Sequence, residues 1–226
     1  MTFTIQRAAP QHAAAIAAVK RSVWEDEQTD EKHIAVVIAE PDHMTHIALQ
    51  NDEVVGFVDG FLTLSAEGVR RWEVDLLGVF PAHRGQGIAS QLITVNTSAG
   101  FESGASRARG LVAIGNIGSE KAFARSGFHV EDTTCALYVS DAAAAASAPV
   151  NGLHLLPVNT INYRGVWLEG ALSAQGFRKA LAVRARYGWD VAGAVIPAAQ
   201  RALLDAAQAA GYARIGEYRW WHHSGR

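Results

Sequence analysis

The chain has 226 residues, long for one small domain and suited to one large domain or two small ones. Its net charge of −2, with no run of five like charges, argues against a nucleic-acid or anionic-membrane partner. Cys135 is the lone cysteine, so no intrachain disulfide can form, and no apolar run reaches the roughly 18 residues of a membrane helix. The opening Met1–Arg7 lacks the charged head and apolar stretch of a secretory leader, so a soluble cytoplasmic protein is expected.

Residues 3–8 read as a short strand. Pro10 opens a helix with Ile16, Val19 and Val23 on one stripe. A second helix is predicted over 30–39, ending before Pro41. Residues 45–49 and 54–63 read as paired strands turned by Asn51-Asp52. An apolar strand at 72–79 carries two acids, Glu73 and Asp75, and stops at Pro81. The turn Arg84-Gly85-Gln86-Gly87 then leads into a helix with Ile88, Leu92, Val95 and Ala99 on one stripe. Residues 111–114 read as a buried strand, and 116–125 as a helix closed by Gly127. From Phe128 the chain returns as a strand through 136–139. The alanine-rich stretch 141–150 reads as a linker.

Beyond it the order recurs. A strand at 163–168 precedes Ala174-Gln175-Gly176 and a helix to about 186. A strand at 190–196 precedes a helix at 197–210, and Gly211-Tyr212 starts a last strand ending near 221. Gln86-Gly87 matches Gln175-Gly176, and Gly127-Phe128 matches Gly211-Tyr212. An internal duplication is the reading. The domain organisation expected is therefore 1–140, a linker at 141–150, and a partial repeat at 151–226.

The informative stretch is 77–90, where a strand feeds a glycine turn and the turn feeds a helix. The first N–H groups of a helix have no intrahelical acceptor and the helix dipole makes that end positive. A pyrophosphate fits such a place, each charge-assisted hydrogen bond contributing roughly 1.5–3 kcal/mol. Gly85 and Gly87 let phosphate approach the backbone, and Ala89 is small. Gly85-Gln86-Gly87 also opens the dinucleotide-binding pattern. That fold wants an acid about 20 residues on, after the next strand. Ile114-Gly115-Asn116 stands there instead, with no acid.

Arg84-x-x-Gly87-x-Ala89, preceded by Leu77-x-Val79-x-Pro81, resembles the coenzyme A signature of the GNAT superfamily of acyl-CoA-dependent N-acyltransferases. Asn116-x-x-Ser119-x-x-x-Phe123-x-x-x-Gly127-Phe128 is similar to that superfamily's second signature. The order of elements over 3–140 looks like the whole domain. The resemblance implies an α/β fold with a mixed central sheet flanked by helices, plus a partial C-terminal repeat. It implies acetyl-CoA as co-substrate and no metal. Arg84, Gly85, Gln86, Gly87, Ile88 and Ala89 would hold the pyrophosphate. Leu77, Gly78 and Val79 would pair with the pantetheine arm and polarise the thioester carbonyl. Asn116, Ser119 and Phe123 would contact the coenzyme from the other side.

The implied reaction is acetyl transfer to a primary amine by direct attack, the acceptor being a small molecule or peptide. A proton must first leave the amine. Glu73, 11 residues before Arg84, is the leading candidate by resemblance, with Asp75 on the same strand face. These two carboxylates could instead bind a cationic substrate, or one could pair with Arg70 or Arg71. The sequence departs from the family at Phe123, where many members carry the tyrosine that protonates the leaving thiolate. Tyr138 or water could take that role. The departure also leaves open a non-catalytic acyl-CoA-binding protein of the same fold. Many members form homodimers, and the sequence does not decide this.

If the second half is a repeat, it has lost the coenzyme site. Ser173 stands at the place of Arg84, Ala174 at Gly85, and Arg178 at Ala89. The aromatic residues gathered in this half, from Tyr163 to Trp221, read as core or interface. His43 and His46 lack further clustered ligands, which speaks against a metal site. His222-His223 reads as an exposed strand end. Cys135 reads as a packed strand residue.

Overall fold

The computed structural model describes residues 2–25, 27, 29–144 and 150–225. In chain order it contains β1 (Thr4–Arg7), α1 (Ala13–Val23), α2 (Glu31–Ile38), β2 (His46–Gln50), β3 (Glu53–Leu64), β4 (Arg70–Val79), α3 (Ile88–Glu102), β5 (Arg107–Ala113) and α4 (Ile117–Arg125). There follow β6 (His129–Val130), β7 (Cys135–Ser140), β8 (Leu153–Asn159), β9 (Arg164–Gly170), α5 (Ala174–Tyr187), β10 (Val191–Pro197), α6 (Arg201–Ala209) and β11 (Ala213–Ser224). No helix among the described residues is long and apolar enough to cross a membrane.

The chain divides into two compact units: Met1–Thr63, Val69–Val130 and Trp220–Arg226 form one, Leu64–Gly68 and Glu131–Arg219 the other. Residue 140, the expected end of the first domain, lies inside the second unit, and the last residues belong to the first. Of the expected linker, 145–149 lie outside the described residues.

In the first unit the strand order is β1-β2-β3-β4-β5, with the C-terminal part of β11 beside β5. β1, β2 and β3 run antiparallel, and β4 and β5 run parallel. The β2–β3 turn uses Asn51 at φ 51° and Asp52 at φ 64°. Both short polar side chains tolerate this left-handed backbone, which suits the twist of a hairpin. Trp72 on β4 is 1% exposed and anchors α3. Its indole N–H donates to Asn96 Oδ1 at 2.7 Å, so the one polar atom of a large apolar ring is satisfied. Burial of such a ring stabilises by roughly 4–6 kcal/mol at about 25 cal/mol/Å². A methyl added at Gly100 would collide with that ring, which explains glycine mid-helix there.

The buried face of α3 is Ile88, Leu92, Ile93, Asn96, Thr97 and Gly100. The expected stripe through Val95 is therefore displaced, and Val95 is exposed. The partnership of Asn96 with Trp72 turns the helix toward a polar residue that a hydrophobic pattern ignores.

In the second unit the order is β11-β7-β10-β9-β8, using the N-terminal part of β11. β9 and β10 run parallel; β8–β9, β7–β10 and β7–β11 run antiparallel. β8 has no counterpart in the sequence reading. Its Leu153–Asn159 lacks alternation and holds Pro157, which an edge strand accepts. The strand expected from Phe128 onward is broken: β6 has two residues and β7 starts at Cys135. The expected helix at 197–210 is shorter, because Pro197 ends β10. Tyr138, Phe177 and Tyr212 are buried in this unit's own core.

Candidate functional site

β4 and β5 are paired at Arg71↔Arg107, Trp72↔Ala108 and Glu73↔Arg109, and no ladder pair follows. β4 nevertheless runs on to Val79 and β5 to Ala113, so the strands part. The parting coincides with a slip in side-chain alternation. Trp72 faces α3, and Val79 also meets Ile88 of α3 near Gly56, although the two are an odd number of residues apart. Gly78 faces Phe57, Trp24 and Val19 on the opposite side of the sheet. One residue of slip between Asp75 and Gly78 reconciles these contacts, and such a bulge re-aims the backbone locally.

Past Val79 the chain makes a single 3₁₀ turn at Pro81–His83 and enters α3 through Gly87. Gly85 and Gly87 have φ of 80° and 81°, the left-handed region where a side chain is strained. Gln91 N–H bonds Gly87 C=O at 3.1 Å, the first turn of the ladder, so the N–H groups before it have no helical acceptor. A methyl at Gly85 would meet nothing within 4 Å, so open space lies above this turn.

That space is a cleft of about 600 Å³. Leu77, Val79, Arg84, Gly85, Gly87, Ile88 and Ala89 wall it on one side, and Asn116 and Ser119 on the other. Three of the residues expected at the coenzyme are not in its lining: Gly78, Gln86 and Phe123. The Gln86 side chain reaches Gln50. Phe123 is 3% exposed and packs on Phe128 at 4.9 Å and on Trp221 at 6.1 Å, over Gly110. It is a core residue. Sequence reasoning missed Val23, Trp24, Ser90, Gly118, Lys121, Ala122 and Arg125 as lining residues. The last four stand at i, i+3, i+4 and i+7 on one face of α4, a face that could have been extended from the motif. Arg84, Lys121 and Arg125 give the cleft positive charge, and no carboxylate is among its described lining residues. His83, also in the lining, has Nδ1 2.6 Å from Gln50 Oε1.

The two acids of β4 have different surroundings. Glu73 is 8% exposed and its carboxylate is engaged on both oxygens. Arg109 Nε donates at 2.8 and 3.0 Å, Thr63 Oγ1 donates at 2.5 Å, and Arg71 Nε lies at 3.5 Å. Arg109 is itself held over the Trp220 ring at 4.3 Å. Asp75 has no arginine partner among the described contacts and is exposed. Burial is nonetheless the largest cause raising its carboxyl from 3.8 to about 7, followed by the charges of Asp59 and Glu73. Exposure and burial disagree about how dry this carboxyl is. Solvent reaching this exposed side chain makes burial a weaker cause than full enclosure would. The upward direction stands on the neighbouring carboxylates, while the charge of His43 and the N–H of Leu76 act against it.

His43 and His46 do not converge. His43 stacks on Phe61 at 5.1 Å with its Nδ1 3.5 Å from Asp59 Oδ2, whereas His46 Nδ1 lies 3.2 Å from Asn96 Nδ2. No group of three or more metal-ligating side chains occurs among the described residues. His223 is half-buried against Phe101 and Phe128, which corrects the expectation of an exposed strand end. Cys135 is buried, and burial pushes its thiol up.

Residues 11–128 match the model of the Acetyltransferase (GNAT) family, just over half of the chain, and the chain belongs to that family. No curated protein matches the sequence. Among solved structures, a protein of Pyrococcus horikoshii assigned to the acetyltransferases is similar at TM-score 0.63 and 15% identity, covering 99% of this chain and 90% of that one. The glucosamine N-acetyltransferase region of a fungal multi-domain GH3 β-N-acetylglucosaminidase is similar at TM-score 0.64 and 13% identity, covering 98% of this chain and 38% of that one. The PaiA N-acetyltransferase of Thermoplasma acidophilum, in complex with coenzyme A, is similar at TM-score 0.50 and 17% identity, over 59% of this chain and 93% of that one. At these identities the likeness is one of fold.

Proposed function

We propose that this protein moves an acetyl group from acetyl-CoA to a primary amine by direct attack, with Asp75 as the proton acceptor. The observation that carries this reading is the pairing of a cationic, glycine-floored cleft with an unpaired carboxyl close by. Asp75 is two residues before Leu77 of the cleft wall, at most about 7 Å along the strand. The pyrophosphate is taken by Arg84, the free N–H groups at the start of α3, and Lys121 and Arg125 of α4. Asn116 caps α4 through its Oδ1, bonded to Ser119 N–H at 3.2 Å, which leaves its amide nitrogen for the pantetheine arm. That a neighbour of this fold holds coenzyme A supports the same placement.

An ammonium acceptor loses a proton to Asp75 and the free amine nitrogen attacks the thioester carbon. The N–C bond forms, the C–S bond breaks, and the attacking nitrogen releases its second proton to water as the amide forms. A thiol of pKa about 8.5 leaves as thiolate and takes its proton from water, so Phe123 in the core removes no required donor. A carboxyl raised to about 7 has the affinity that a base at neutral pH needs. Glu73 serves as a positioning residue, held by Arg109 and Arg71.

The test is thiol release from acetyl-CoA with a panel of amines. Asp75→Asn should lower kcat by roughly 10²–10⁴-fold and leave coenzyme A affinity unchanged. Turnover equal to wild type across pH removes Asp75 from the mechanism. Coenzyme A binding without turnover on any amine favours the non-catalytic binding reading.

A further inference from the structure

We propose that His43 and Asp59 form a buried charge pair that sets the proton affinity of Asp75, a positioning device outside the sequence signatures. The inference rests on Asp75 being the proton acceptor. It begins with β3, whose alternate residues Asp59, Phe61 and Thr63 share one face. Thr63 bonds Glu73 near one end, and Phe80 N–H bonds Val55 C=O near the other, so β3 and β4 run antiparallel. Stepping two residues from Thr63 and Glu73 places Phe61 beside Asp75.

Phe61 is also the floor for His43. The rings stack at 5.1 Å and 24°, and a backbone bridge joins the two residues. Asp59 is fully buried, and its Oδ1 accepts from Thr45 Oγ1 at 2.7 Å. Asp59 Oδ2 and His43 Nδ1 face each other at 3.5 Å, and neither has a hydrogen bond. At that length the contact is an ion pair more than a hydrogen bond. Such a pair is often no better for stability than two apolar side chains of similar size.

Burial lowers the proton affinity of His43. The contact and charge of Asp59, together with the charges of Glu40, 3.8 Å from Nε2, and of Asp75, outweigh burial and raise it. Arg7 bonds the His43 carbonyl at 3.2 Å, and His46, with its own proton affinity lowered mainly by burial, also feels Asp59. Asp75 in turn feels Asp59 and Glu73 against His43, and Glu73 is offset by Arg109 and Arg71. Protonated His43 therefore screens Asp59 from Asp75. Neutral His43 leaves Asp59 bare, and Asp75 holds its proton more tightly.

The two partners act on Asp75 with opposite sign, and that is the test. The acidic limb of kcat/KM against pH should move down by roughly half to one pH unit in Asp59→Asn. The effect of Asp59 on Asp75 exceeds that of His43, so this shift survives any loss of charge on His43. In His43→Gln the same limb should move up by a similar amount. A purely structural role would lower activity in both without moving the limb. Limbs that stay put, or that move in one common direction, overturn the inference. A readout free of turnover and of folding defects is the wild-type carbon NMR titration of Asp75 and His43. The His43 ring should show a second inflection at the Asp75 midpoint, and a single inflection overturns the pair. If Asp75→Asn retains turnover, the base assignment falls, while the NMR titration still decides the coupling.

Discussion

β4 leads into α3, and β9 leads into α5. Each helix is followed by a strand parallel to the first, β5 beside β4 and β10 beside β9. The two junctions carry the same Gln-Gly pair and differ in how the helix starts. α3 starts at Gly87, which has no side chain to offer, so its first N–H groups stay open. α5 starts at Ser173, whose Oγ accepts the N–H of Gly176 at 3.1 Å. Gln175-Gly176 thus lies inside the helix and not in a turn. A serine cap does for α5 what an anion would do for α3. A helix that caps itself has fewer donors left for a ligand.

The largest expected effect comes from rewriting the first junction with the residues of the second. Arg84→Ser, Gly85→Ala and Ala89→Arg together take away the native guanidinium, strain a left-handed residue and put a long side chain in the cleft, at unchanged net charge. Coenzyme A affinity should fall at least ~100-fold, about 2.7 kcal/mol, by titration calorimetry. Affinity within about threefold of wild type would mean that the phosphates are held elsewhere.

Asp75 extends the contrast. The offset that aligns Gln86 with Gln175 puts Arg164 in its place, so the second unit has no carboxyl there. The carboxyl of native Asp75 is raised from 3.8 toward about 7, whereas the unfolded chain loses its proton near 3.8. Between those values the native state binds more protons, so Asp75 makes the fold less stable as pH rises through that window, and the penalty remains above it. Thermal melts of Asp75→Asn should therefore gain on wild type steadily from pH 4 to pH 8. A difference that does not change with pH, or that turns against the variant, contradicts the raised carboxyl. Arg164→Gln should show no such trend.

Much of this was legible in the chain. The strand, the glycine turn and the α3 start are local features, set by residues within a few positions of one another. What escaped depends on partners far apart. Glu73 and Asp75 look equivalent in sequence, and Arg109, 36 residues on, separates them by pairing with Glu73 alone. Phe123 occupies a motif position, yet its surroundings include Trp221 from the C-terminal strand. The slip in β4 leaves no composition mark. β11 serves both units, with residues 213–218 against β7 and Trp221 and His222 against β6. No local pattern announces that double use.

The next effect is smaller and has a sign. Gly87→Ala puts a side chain at φ 81°, which costs roughly 1–2 kcal/mol, and should weaken coenzyme A as well. Gly176→Ala falls in the first turn of α5, where alanine is favoured by up to about 1 kcal/mol. Its methyl would meet the Leu153 Cδ1 end at 3.3 Å, and that flexible tip can move aside. Chemical denaturation should show the first variant less stable than wild type and the second equal or more stable. Equal losses would erase the distinction between an open cap and a closed one.

The smallest effect tests where the units agree. Gly127 and Gly211, at φ 82° and 90°, end α4 and α6 alike. Phe128 N–H returns to Phe123 C=O at 3.1 Å, and Tyr212 N–H returns to Ala207 C=O at 3.0 Å, the same reach across the same kind of cap. The aromatic after each glycine is 3% exposed. Alanine at either position costs about 1 kcal/mol for the left-handed backbone. The costs should nevertheless be unequal. A methyl at Gly127 meets His223 Nε2 at 3.1 Å, a ring already held against Phe101 and Phe128, whereas a methyl at Gly211 meets only the Ala142 methyl at 3.7 Å. Gly127→Ala should therefore lower the denaturation midpoint more than Gly211→Ala. The reverse order would show that the His223 ring yields, and that the two caps share backbone geometry without the packing argued for the first.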